Sequence, residues 1–174
     1  MNLLLNRYSV RHFLPTPVTE EQIERILQAA MQAPSAHNRQ PWEFLVLREE
    51  AAKKTVSQMS PYGKMAAESS CVIAVLADLN RANPEKQEPE WWIEDCSACT
   101  QNILLQTVEE GLGACWIGWY PVSERVKAFS DHFSIPSHLV PFSMIAVGYT
   151  DGPKKKKDYF DKTRIHYDVY KDVY

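Results

Sequence analysis

The chain has 174 residues, 45% of them hydrophobic, with 19 Lys and Arg against 22 Asp and Glu for a formal charge of −3. That length and apolar content suit one core-bearing domain over residues 1–174, and the charge excludes general affinity for nucleic acid; the Lys154-Lys155-Lys156-Lys157 run is a local exception, read as a solvated tail. No apolar run approaches the about 18 residues of a membrane span and the N-terminus lacks a signal peptide's apolar core, so the expectation is a cytoplasmic protein without membrane partners.

Thr19-Glu20-Glu21-Gln22 reads as a capping box, followed by Ile23, Ile26, Leu27 and Ala30 on one helical face, with Pro34 closing the helix. Residues 43–47 and 71–77 read as strands, the second buried on both faces, with a helical segment between them. Residues 80–89 are polar with two prolines and read as a surface excursion. A long central helix is expected over residues 91–110, with Ile103, Leu104 and Val108 inside and Gly111 as terminator. Residues 114–117 form another strand, Ser123 caps a short helix through Phe129, residues 142–147 form a last strand, and residues 149–174 form an extended tail. Cys71, Cys96, Cys99 and Cys115 are read as reduced thiols; Cys96 and Cys99 spell C-x-x-C inside a helical pattern with no second pair, which assigns them no metal. These elements fit a three-layer α/β/α sandwich.

Two runs carry polar chemistry. In Ala33-Pro34-Ser35-Ala36-His37-Asn38-Arg39-Gln40-Pro41-Trp42, two prolines limit the backbone around Ser35, Asn38 and Gln40, which can then be aimed at one ligand. Arg7-Tyr8-Ser9-Val10-Arg11 sets two guanidiniums four residues apart around a hydroxyl, an arrangement suited to a phosphate. Turn preferences alone also account for the first run, and surface charge for either arginine. His37 has no convincing acid or base role.

With Gly111-Leu112-Gly113-Ala114-Cys115-Trp116-Ile117-Gly118 and Arg164-Ile165-His166-Tyr167, these runs resemble the nitroreductase family of flavin enzymes over nearly the whole chain. The family carries R-x-S-x-R near the N-terminus and A-P-S-x-x-N-x-Q-P-W after the first long helix. The resemblance implies an α+β fold with a mixed, mainly antiparallel sheet, and an obligate homodimer with FMN across the subunit interface. It assigns the FMN phosphate to Arg7 and Ser9, with Tyr8 between them, and sets Arg11 by the ribityl chain or the N1–O2 edge. From the other subunit it brings Pro34, Ser35, Ala36, Asn38 and Gln40. It matches Lys64 to a lysine near the flavin ring, against the plain reading of a solvated side chain, and has Ile117 and Gly118 present backbone N–H groups to the flavin.

The chain departs from the family twice. Trp119-Tyr120 stand where many relatives have a second glycine, and either narrow the space beside the ring or pack in the core or interface. In the tail, a second phosphate-binding cation is replaced by Tyr159, leaving Lys157, with Lys156 or Lys155 as rivals.

No G-x-G-x-x-G or Walker run offers a separate nucleotide site. The function implied is a ping-pong oxidoreductase, in which NADH or NADPH reduces FMN and leaves before a nitroaromatic, quinone or similar small acceptor enters. No side chain serves as catalytic nucleophile, because the flavin N5 carries the chemistry. Two other readings stay open: a flavin store or sensor blocked by Trp119 and Tyr120, and a scaffold docking through its lysine run.

Overall fold

The computed structural model describes residues 3–82, 90–152 and 159–170. In chain order the elements are α1 (Leu3–Asn6), α2 (Glu20–Met31), β1 (Trp42–Leu47), α3 (Glu50–Met59), β2 (Cys71–Asp78), α4 (Leu79–Ala82), α5 (Trp92–Glu109), β3 (Gly113–Gly118), α6 (Ser123–Phe133) and β4 (Leu139–Gly148). Three 3-10 turns lie at Ala36–Asn38, Lys64–Ala66 and Lys162–Arg164. The strands form one sheet in the order β1-β2-β4-β3 with every neighbouring pair antiparallel. Its parallel component is a single bridge, Ser9 with Ala114.

Alternation along the strands divides the core into two layers. Cys71, Ile73, Val75 and Ala77 of β2 face α2 and α5, while Val72, Ala74 and Leu76 face the layer of α3 and α6. All of β2 is buried because it is an inner strand with helices on both faces. α5 is the central helix, burying Trp92, Cys96, Cys99, Ile103 and Leu104, with Val108 only half-buried. Where it meets β4, the Thr100 and Ser143 hydroxyls satisfy each other at 2.9 Å in the core. The four cysteines are free and buried; burial pushes Cys71 up to about 11 and Cys99 up to about 12, and raises Cys96 as well. Among the described residues no helix is long and apolar enough to cross a membrane.

The Thr19–Gln22 capping box forms in both directions. α2 stops at Met31, however, so Pro34 lies in the loop beyond the helix end. α6 corrects the sequence reading twice. Val122 holds the N-cap position and Ser123 is the first helical residue, with no side-chain cap bond. The helix then runs one turn past Phe129 to Phe133, whose ring packs 4.5 Å from that of Phe129, and Ser134 supplies the left-handed ending. β4 starts three residues before its expected position, because a bulge opposite Val75 and Leu76 absorbs Phe142 and lets Pro141 enter the strand. Of the expected 80–89 excursion, residues 80–82 belong to α4 and residues 83–89 lie outside the described residues.

Candidate functional site

The first half of the site is an N-terminal segment laid along the free edge of β3. Val10 N–H donates to the Ala114 carbonyl at 2.9 Å, beside the Ser9–Ala114 bridge. Glycine at 113 makes this approach possible, since a Cβ there would lie 2.5 Å from Val10 Cγ2. With Val10 buried, Ser9 and Arg11 are exposed and Arg7 is half-buried. Tyr8 OH donates to the Gly152 carbonyl at 2.6 Å, tying this segment to the start of the tail. Both arginines act on one point of the strand: burial pushes the Cys115 thiol up, and the Arg11 and Arg7 charges oppose that push.

Along β3 from Arg11 runs a cleft of about 570 Å³, walled by Cys115–Gly118, the Lys64–Met65 turn, Tyr62 and Arg125. Two hydrogen bonds orient the edge: Val10 reaches the Ala114 carbonyl, and Arg125 Nη1 donates to the Gly118 carbonyl at 3.1 Å. In an antiparallel edge strand the N–H and C=O of alternate residues turn outward together. Ala114, Trp116 and Gly118 therefore face out, and the N–H groups of Trp116 and Gly118 look into the cleft. Ile117 turns its N–H toward β4 and is only 2% exposed. A Cβ built on Gly118 would meet nothing within 4 Å, so the hydrogen there leaves open space beside the strand. Lys64 is exposed at the rim.

Trp119 does not overhang the cleft. It is fully buried, its ring edge-on to Phe129 at 5.8 Å and its Nε1–H donating to the Arg125 carbonyl at 2.8 Å. Tyr120 packs edge-on against Trp92 at 4.7 Å. The rings pack in the core; the position after Gly118 is bulky, but that bulk points inward.

The loop over residues 35–40 lies on the other edge of the sheet, ahead of β1. His37, Asn38 and Gln40 all have positive φ (53°, 53° and 51°), a conformation that costs a non-glycine residue about 1–3 kcal/mol unless its surroundings impose it. Here they do: Gln40 N–H donates to Ser35 Oγ at 2.9 Å, Gln40 Nε2 to Asn38 Oδ1 at 3.1 Å, and Ala36 N–H to Asp95 Oδ1 at 2.9 Å. Ser35 and Asn38 thus do the turn chemistry the sequence allowed, and Asn38 and Gln40 are exposed. Pro34 is exposed and Ala36 half-buried. Arg39 Nη1 donates to the Ala82 carbonyl at 2.7 Å, and His37 stacks on Trp91 at 5.8 Å.

The structure therefore gathers Arg7, Ser9, Arg11, Lys64, Ile117 and Gly118 along β3 and leaves Ser35, Asn38 and Gln40 three strands away, about 14 Å by strand spacing alone. Lys155, Lys156 and Lys157 lie outside the described residues. Sequence reasoning missed Asp95, Tyr62 and Arg125. Asp95 had a visible signal, a carboxylate on the same helical face as Trp92, Cys96 and Cys99. Tyr62 and Arg125 meet only through tertiary packing.

The described residues thus form an α+β sandwich with a cleft on its edge strand that Arg11, Lys64 and Arg125 line. The chain belongs to the nitroreductase family, whose model matches residues 4–149. It is 39% identical over 172 residues to an Archaeoglobus fulgidus protein provisionally named as an NADH dehydrogenase/NAD(P)H nitroreductase, with 95% of each chain covered. It is 30% identical over 177 residues to an NADH dehydrogenase of Thermus thermophilus, with 83% of each covered. Among solved structures, an FMN-dependent nitroreductase from Clostridium difficile superposes with a TM-score of 0.87 at 28% identity, over 97% of this chain and 98% of that one. The protein is accordingly an oxidoreductase of nitroreductase type.

Proposed function

We propose that the chain binds FMN along β3 and, as a homodimer, passes electrons from NADH or NADPH to nitroaromatic, quinone or similar small acceptors, donor and acceptor occupying the cleft in turn. The observation that carries this reading is an open cleft along β3 with Arg11 and Lys64 in its lining and an outward, side-chain-free backbone at Gly118, while Arg7 lines a second pocket of about 430 Å³ at Gly113 and Ala114.

The residues fit the cofactor. Arg7 and the Ser9 hydroxyl supply a cation and a donor for its phosphate. Arg11 reaches further along the strand toward the ribityl chain, and Lys64 stands across the cleft as a donor for the ring's polar edge. The Gly118 N–H offers a hydrogen bond with no Cβ to hold a planar ligand away. Bound FMN supplies two-electron chemistry that no side chain here provides. Ser35, Asn38 and Gln40, with Pro34 and Ala36 of the same loop, are assigned to the second copy's site, and the separation of that loop from β3 within one chain supports the assignment. Lys157, or Lys156 beside it, is assigned to the phosphate from the tail. With Trp119 buried, the reading of a ring-blocked flavin store loses its physical basis.

The test is the visible spectrum of the purified protein, followed by anaerobic addition of each nicotinamide. Yellow protein that bleaches with NADH or NADPH is expected. Protein that takes up no FMN overturns the cofactor assignment, and flavin that neither nicotinamide bleaches overturns turnover.

A further inference from the structure

The Gly118 end of the cleft carries a cation that phosphate recognition does not use. Ala114 and Gly118 are four residues apart, about 13 Å along a strand, so Arg125 stands well beyond the reach of a phosphate held by Arg7 and Ser9. Its guanidinium is fixed twice: Nη1 donates to the Gly118 carbonyl, and the group lies over the Tyr62 ring, 5.8 Å from its centre. Its other donors have no protein partner among the described residues. Tyr62 is 72% exposed, a large aromatic ring left open at the rim. Arg11, His12 and Lys64 belong to the same lining, in which no carboxylate appears among the described residues, although the chain as a whole is acidic. A cleft with cations on its walls concentrates anions.

We propose that Arg125 and Tyr62 form the acceptor subsite and select flat aromatic acceptors bearing a carboxylate, a proposal that rests on the reading of this cleft as the FMN site. A planar guanidinium with free donors pairs with a carboxylate through two parallel hydrogen bonds, which a neutral amide cannot reproduce. The Tyr62 ring supplies a face for the acceptor's aromatic body. Because Arg125 is already anchored to Gly118, little side-chain freedom is lost when the anion arrives.

Equilibrium dialysis of FMN-supplemented protein against 4-nitrobenzoate and its neutral analogue 4-nitrobenzamide tests the subsite without requiring turnover. The wild type is expected to bind the benzoate about tenfold more tightly, a preference that shrinks as salt is raised. Arg125→Gln is expected to abolish that ratio, Arg125→Lys to keep part of it, and Tyr62→Leu to weaken both ligands alike. Equal affinities in the wild type, or a preference that survives Arg125→Gln, overturn the proposal. In kcat/KM the benzoate-to-benzamide ratio is expected to fall in Arg125→Gln as the dialysis ratio does, and a kinetic ratio that this variant leaves unchanged overturns the proposal too. Protein that stays colourless with FMN defeats the cofactor reading instead, and the dialysis ratio on that sample still decides whether Arg125 selects the anion.

Discussion

Gly113 and Gly118 bound the same strand, and adding a methyl group to each asks a different question. At 113 the new carbon collides with Val10, which sits in the bridge holding Arg7, Ser9 and Arg11 against β3. Gly113→Ala is therefore expected to cost about 1–3 kcal/mol of stability by overpacking, and to weaken FMN binding by displacing the segment. At 118 the carbon enters empty cleft. Gly118→Ala is expected to leave the denaturant midpoint within about 0.5 kcal/mol of wild type while lowering FMN affinity, since the loss arises only when a flat ligand approaches. Chemical denaturation beside flavin titration separates the two. Trp119→Gly completes the series from inside the sheet: with the indole buried against Phe129, the expected loss is about 3–5 kcal/mol with acceptor preference unchanged. A broader acceptor range in that variant shows instead that the indole reaches the cleft.

Helix α5 shows how one element serves both packing and site. At its C-terminal end Glu110 accepts two hydrogen bonds from Arg25 of α2, at 2.8 and 2.7 Å, and these hold its carboxyl below the ordinary range. A lowered folded-state value adds stability that is fully present above the ordinary value of 4.5 and is lost as pH falls through the folded one. Glu110→Gln is expected to be less stable at neutral pH but to show a flatter acid decline, measured as denaturant midpoint against pH. Near the N-terminal end the sign reverses. Burial pushes Asp95 up, so its charge is a liability that grows as pH rises through its folded value, while its oxygen fixes Ala36 and with it the 35–40 loop. Asp95→Asn keeps an acceptor without the charge and is expected to match or exceed wild-type stability at pH 7. Asp95→Ala leaves the amide unpaired at a cost of about 1–2 kcal/mol.

What was legible from the sequence follows the range of the forces involved. The capping box, the central helix and β2 were readable because a few neighbouring residues decide them. The true extents of α6 and β4 were not, because a left-handed serine rather than a glycine ends one, and a bulge that tolerates Pro141 begins the other. The ligand motifs stood out as short strings, and the turn chemistry read as one alternative for Ser35 and Asn38 is present in their bonds to Gln40, but nothing local linked Tyr62 to Arg125.

At the scale of the whole molecule, the two motifs occupy opposite edges of one sheet. On the proposed reading one FMN takes each motif from a different chain, so light scattering of the holoprotein is expected to give twice the 20.0 kDa chain mass. A monomer with full flavin occupancy refutes the shared site. The layered core has another consequence, for its sulfur atoms. Cys71, Cys96 and Cys99 lie beneath the helices at no more than 1% exposure, and burial raises their thiols, Cys71 to about 11 and Cys99 to about 12. An alkylating reagent consequently finds no target among these three in a closed molecule. In a brief pulse of such a reagent, every chain labelled at Cys71, Cys96 or Cys99 is one caught while its layers were apart.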